Sequence, residues 1–210
     1  MKNSTKTSLI IVALIAIFTT QIFSQSVKMG IEGGMNLSNS SFTPDIQSSS
    51  RTGMMFGTFA EIKVSPILSI KPGVRYIMKG FSVTNNGGLP NNFKVNYIEV
   101  PALLKVTFPV SSVKPYLEAG PTLSLRVSAN EEINLGNQQP SQDVDVSQLF
   151  ESTDIGLYFG GGMDFRIGSS TEMFTSIGYG LGLSNTLSSA TTLTAKNNGI
   201  RITTGVKFDL

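Results

Sequence analysis

Nineteen charged residues recur at alternate positions of otherwise apolar stretches, a pattern that could serve acid–base chemistry or ion pairing. They are Lys28 and Glu32; Glu61 and Lys63; Lys71, Arg75 and Lys79; Glu99 and Lys105; Lys114, Glu118 and Arg126; Asp154, Asp164 and Arg166; Glu172; and Arg201, Lys207 and Asp209. Acid–base catalysis needs two groups within reach of one substrate. Asp154 and Asp164, ten residues apart on one strand, would stand about 33 Å apart and cannot cooperate. The chain lacks histidine and cysteine, which excludes imidazole and thiol catalysis and disulfides. Asp143-x-Asp145 is too sparse for an EF-hand calcium loop. Gly160-Gly161-Gly162 and Gly178-x-Gly180-x-Gly182 lie inside strand patterns with no following helix, so they do not cradle phosphate. The sequence therefore points to no enzyme, no metal site and no cofactor. Ion pairing is the chemistry that remains.

The elements that position these charges alternate at period two. From Leu68 to Lys79, one face carries Leu68, Ile70, Pro72, Val74, Tyr76 and Met78; the other carries Ser69, Lys71, Gly73, Arg75, Ile77 and Lys79. Such alternation predicts strands. We expect eight, at 27–37, 52–63, 67–80, 93–107, 113–127, 152–166, 172–183 and 198–210. Long loops (38–51, 81–92, 128–151 and 184–197) alternate with short turns (64–66, 108–112 and 167–171). Short periplasmic turns and longer external loops are the asymmetry of outer-membrane barrels.

Composition agrees. Charged residues make up 14% of the 210, against roughly 25% in soluble domains, and Gly accounts for 21 residues. The formal charge of +2 includes Lys2 and Lys6, which leaves a near-neutral mature chain and no electrostatic case for nucleic acid. Those two lysines precede an apolar run from Leu9 to Phe18. At about ten residues it is too short to span a bilayer and reads as a secretory leader. We place a cleaved signal peptide at 1–24, with cleavage after Ser24 (Gln25 is the alternative), and the barrel domain at 25–210. Export through the inner membrane to the outer membrane follows.

Alternation alone does not say which face points inward. Glycine does: Gly30, Gly57, Gly73, Gly120, Gly156, Gly160, Gly178 and Gly180 share the charged parity, whereas Gly33, Gly80 and Gly161 lie on the apolar one. Glycine on a solvated face only weakens a strand. Inside an eight-stranded barrel, whose interior is just wide enough for side chains, it makes room for long ones. The expected fold is all-β: an eight-stranded antiparallel up-and-down transmembrane β-barrel with the charges inside.

Three segments carry a family resemblance: Asn96-Tyr97-Ile98-Glu99-Val100-Pro101-Ala102-Leu103-Leu104-Lys105, Lys114-Pro115-Tyr116-Leu117-Glu118-Ala119-Gly120-Pro121, and Gly30-Ile31-Glu32-Gly33-Gly34-Met35-Asn36-Leu37-Ser38. They resemble the PorT-like outer-membrane β-barrel family of Bacteroidota. The resemblance implies a small outer-membrane barrel; the namesake is a secretion accessory. Outer-membrane strands often end on an aromatic residue, whereas this chain ends Phe208-Asp209-Leu210. Val206, Phe208 and Leu210 still form an apolar terminal face for the insertion machinery to recognise.

In function the lumenal charges read as a structural plug, with Glu99–Lys105 and Glu118 with Arg75 or Arg126 as candidate pairs. The expected role is non-enzymatic: structural, surface-interaction or secretion-accessory. A porin-like small-solute pore is the alternative. Expected partners are outer-membrane lipid, the barrel-insertion machinery and an unidentified protein at the outer loops. The Ser-rich first loop and the acidic third (Glu131, Glu132, Asp143, Asp145 and Glu151) read as solvated and flexible. Tyr76, Phe81, Phe93, Phe108, Phe150, Tyr179 and Phe208 read as an interfacial girdle; Tyr97, Tyr116 and Tyr158 have lumenal parity.

Overall fold

A strand with one apolar and one polar face leaves its backbone groups unpaired at both edges, and lipid tolerates that only if the sheet closes on itself. The computed structural model shows this closure. It describes residues 26–84, 88–110, 112–134, 141–188 and 192–210; the leader and its cleavage site lie outside them. The strands are β1 (Val27–Thr43), β2 (Ser49–Lys63), β3 (Leu68–Thr84), β4 (Pro90–Thr107), β5 (Val113–Ile133), β6 (Gln142–Asp145), β7 (Thr153–Arg166), β8 (Thr171–Gly182) and β9 (Thr194–Asp209). All but β6 form an antiparallel ring in which each strand pairs with its neighbours in sequence. The ring closes where Lys28 of β1 meets Asp209 of β9. Among the described residues no helix is long and apolar enough to cross a membrane; the crossing elements are strands.

Adjacent residues take opposite fates around the ring. Ile31, Val74, Leu123, Ile155, Ile177 and Ile202 are exposed on the outer face. Glu32, Arg75, Ser124, Asp154, Ser176 and Arg201, each the residue next to one of those, are buried inside. Glycine clears that interior as expected. A Cβ on Gly178 would overlap the Tyr158 ring, and one on Gly30 the Phe59 ring.

This parity predicts unequal tolerance of charge. Val74 is 50% exposed on the lipid face, and Val74→Arg should cost about 2–4 kcal/mol near mid-bilayer. The fraction reaching the heat-modifiable folded form on unboiled gels should fall, as for Leu123→Lys, while Val74→Leu should fold normally. Normal insertion of Val74→Arg would reverse the parity.

The strands outrun their expected ends on the long-loop side. β1 pairs with β9 as far as Thr43–Thr194, and β3 pairs with β4 as far as Thr84–Pro90. Above the bilayer a strand needs no apolar face, so Ser- and Asn-rich segments without alternation still pair. The Ser40 hydroxyl, for example, donates to Asn197 Oδ1 at 3.3 Å. The first loop is thus mostly strand. The third is ordered where it is described: β6 pairs with the end of β5, a 3-10 turn covers Ser147–Leu149, and Phe150 bridges to Leu187. A bulge places Val127 between the pairs Asn96–Ser128 and Tyr97–Arg126. It switches the parity of β5, which then buries Ala129.

Candidate functional site

Of the nineteen charges, fourteen are buried in the lumen and balance in number. The cations are Lys28, Lys71, Arg75, Lys79, Lys105, Arg201 and Lys207; the anions are Glu32, Glu61, Glu99, Glu118, Asp154, Asp164 and Glu172. Burying an ion unpaired would cost several kcal/mol, so a balanced set of contacts is what such an interior demands.

The outer half of the network centres on Glu99, whose exposure is 0%. Arg75 donates to Glu99 Oε1 through Nε at 2.9 Å and Nη2 at 2.7 Å. Arg201 binds the same carboxylate in bidentate fashion at 2.8 and 3.1 Å. Lys79 Nζ lies 3.1 Å from Glu99 and 3.1 Å from Asp154, and the Ser124 hydroxyl donates to Glu99 Oε2 at 3.1 Å. Both guanidinium groups approach the Tyr158 ring, at 5.5 and 5.2 Å from its centroid. Arg75 also reaches Glu32 at 3.3 Å, and Lys71 continues the chain to Glu118 at 3.2 Å.

Nearer the periplasm, an aromatic cluster of Phe59, Tyr116 and Phe174 separates the outer half from a second group of charges. Lys71 lies 4.4 Å from the Phe59 centroid and Lys105 lies 3.9 Å from that of Tyr116, cation–π contacts that carry charge past the rings. Lys105 and Lys207 then each bridge Glu61 and Asp164, at 2.7–3.0 Å. Lys28 joins Glu172 at 2.7 Å and Asp209 at 3.3 Å.

The remaining members sit at the rims. Lys114 is partly exposed and pairs with Glu172 at 3.2 Å. Arg126 donates to the Glu151 carbonyl at 3.1 Å. Lys63 is half-buried beside the periplasmic opening. Arg166 stands opposite Glu172 of β8 and so keeps the lumenal parity, but it ends β7 at the rim and is exposed there rather than buried in the network. The candidate pairings are corrected too. Glu99 and Lys105 lie six residues apart on β4, about 20 Å along the strand, and bind different clusters. Glu118 binds Lys71, while Arg75 turns to Glu99 and Glu32.

Little space remains between these groups. A cavity of about 10 Å³ lies beside Lys79, Asp154 and Asn197, and one of about 70 Å³ opens among Lys28, Glu61, Lys63 and Lys114. The smaller has room for roughly one water.

Sequence reasoning missed the outer mouth. Phe81 and Phe150 are buried there rather than placed in an interfacial girdle, and Phe93 packs against them. Phe81 stacks on Phe93 with centroids 4.8 Å apart and meets Phe42 edge-on at 5.0 Å. The signal was present: from Lys79, period two carries Phe81 inward. Tyr97, Tyr116 and Tyr158 are buried in the lumen, and Phe108, Tyr179 and Phe208 are exposed. On the outer face, Lys94 pairs with Glu132 of β5 at 3.1 Å and with Asp143 of β6 at 3.3 Å, the second contact holding β6 against the barrel. Hydrogen bonds from Lys94 and Asn92 hold the Glu132 carboxyl below the ordinary carboxylate range.

This architecture defines a small outer-membrane barrel. The sequence profile of the outer membrane protein beta-barrel domain family matches residues 23–188, and the chain belongs to that family. Outer-membrane location follows from membership. No curated protein is matched by its sequence. Among solved structures, the chain is similar to Neisserial surface protein A, with 17% identity, 87% of this chain and 97% of that one covered, and a TM-score of 0.52. It is also similar to OprG from Pseudomonas aeruginosa, with 11% identity, 89% and 97% covered, and a TM-score of 0.54. A major outer membrane protein from Thermus thermophilus shares 10% identity over 88% and 99%, with a TM-score of 0.54. At these identities the likeness concerns the fold.

Proposed function

We propose that this protein is a closed, non-enzymatic barrel that acts through its outer end, in surface interaction or as an accessory to secretion. The balance of seven buried cations and seven buried carboxylates carries this reading. An ion crossing the lumen would have to displace paired charges, beside which the described spaces measure about 10 and 70 Å³, and a balanced interior offers no surplus charge to select a solute. The missing histidine and cysteine, and the distance between Asp154 and Asp164, argue against enzymatic chemistry.

Reconstituted into planar bilayers, the protein should show little steady conductance. Large, charge-selective wild-type currents would instead make it a small-solute pore.

The finer identity belongs to the same proposal. Residues 1–24 act as a cleaved signal peptide, the insertion machinery reads the apolar face of β9, and lipid covers Val74 and its neighbours. The resemblance of Asn96 to Lys105 and of Lys114 to Pro121 supports a PorT-like member from Bacteroidota. An unidentified protein partner would meet the outer loops, and no nucleic acid is involved. Affinity purification after mild crosslinking in native cells tests this part: recovery of lipid and insertion factors alone would remove the accessory role.

A further inference from the structure

The outer mouth holds a cavity of about 330 Å³ whose walls are apolar. Phe42, Phe81, Phe93 and Phe150 contribute from β1, β3, β4 and the third loop, and Leu149 and Leu193 complete the wall. The volume falls at the low end of the roughly 300–1,000 Å³ typical of small-molecule sites. Beneath it the barrel is closed: Ile77, Val95, Tyr97 and Ala129 are buried, and below them Lys79 pairs with Asp154. The cavity is therefore a blind cup above a charged plug. Among the described residues its one charged lining group is Glu131, turned inward by the bulge in β5. Asn91 donates to Glu131 at 2.9 Å, while Lys94 on the outer face pairs with Glu132 and Asp143 instead.

We infer that this cup binds a small apolar molecule, neutral or cationic, and discriminates against anions. Four phenylalanine rings supply the area that an aromatic or alkyl body would cover, and their electron-rich faces favour a cationic group. Glu131 repels a carboxylate, sulfonate or phosphate at the same place, which argues against fatty acids and lipid headgroup fragments as occupants. The closed floor means that the ligand is captured, not passed through the barrel. This goes beyond the closed-barrel reading and fails separately from it, since a conducting lumen would leave dye binding at the mouth unchanged.

Two dyes with nearly the same aromatic body test it: N-phenyl-1-naphthylamine, which is neutral, and 8-anilinonaphthalene-1-sulfonate, which is anionic. Binding is measured by fluorescence on the full barrel in lipid nanodiscs, with empty nanodiscs of the same lipid subtracted. The neutral dye should bind saturably at one site per barrel, and more tightly than the anionic one. Ile46 and Leu149 line the cup but are half-buried and exposed, so Ile46→Asp with Leu149→Asp should leave the folded gel mobility unchanged. That pair should weaken the neutral dye about tenfold or more, because it sets carboxylates in an apolar site. Glu131→Gln should leave the neutral dye nearly unchanged and strengthen the anionic one about fivefold. The inference is overturned by the absence of binding above empty nanodiscs, by equal or tighter wild-type binding of the anionic dye, or by an Asp pair that binds like wild type.

Discussion

Glu99→Gln should destabilise the folded barrel by about 3–5 kcal/mol, the usual consequence of removing one partner from a buried ion pair. Glutamine keeps the shape and one acceptor but removes the charge on which three cations converge. Two of them have somewhere to turn: Arg75 still reaches Glu32 at 3.3 Å and Lys79 still reaches Asp154 at 3.1 Å. Arg201 does not, since among the described ion pairs its carboxylate is Glu99. Its remaining support is the Tyr158 ring at 5.2 Å, a weaker contact than a bidentate carboxylate. Urea unfolding in lipid vesicles, followed by the heat-modifiable gel shift, measures the loss. Glu131→Gln at the mouth is the reference and should change stability by less than about 1 kcal/mol, since that carboxylate is partly exposed and bonds a neutral amide. Equal effects of the two substitutions would mean that water, not side chains, neutralises the lumen.

The ring of eight strands was legible because a strand in lipid has no freedom in its pattern. The outward residues from Ile31 to Ile202 are apolar or, like Thr58, Thr175 and Thr204, uncharged, so a charged neighbour becomes a lumenal marker. That constraint ends at the membrane surface, and so did the reading. Residues 38–43 and 194–197 pair through backbone and Ser–Asn contacts that leave no periodic trace. Phe81 and Phe93 were misplaced because aromatic residues near strand ends serve both a girdle and a mouth; only strict parity with Lys79 and Tyr97 separates the two. The β5 bulge at Val127 was invisible, because one extra residue has no compositional mark, yet it turns Glu131 inward and leaves Glu132 outside. Pairing within the lumen was also out of reach of composition. Lys105 meets Asp164, 59 residues away, across the barrel. Distance along a strand could have excluded Glu99 as its partner, but selecting Glu61 and Asp164 needed the closed ring.

Lys207→Met should cost a similar 3–5 kcal/mol, and adding Asp164→Asn should recover part of that loss rather than deepen it. Lys105 and Lys207 alternate with Glu61 and Asp164, so each lysine touches both carboxylates. Removing Lys207 leaves two buried carboxylates sharing Lys105, and the ring carries an uncompensated charge. Removing Asp164 as well leaves one neutral pair, Lys105 with Glu61 at 3.0 Å. Asp164 is the acid to choose, because its Oδ1 is buried without a hydrogen-bond partner and Asn can retain contacts at the other oxygen. Glu172 loses Lys207 at 3.4 Å in both variants but keeps Lys28 at 2.7 Å and Lys114 at 3.2 Å. It therefore contributes equally to each and drops out of the comparison. The coupling between the two sites should reach about 1–3 kcal/mol, within the range found for residues in one network. Additive losses in the same urea assay would show four independently solvated ions, and the closed-plug description of the periplasmic half would then have to be abandoned.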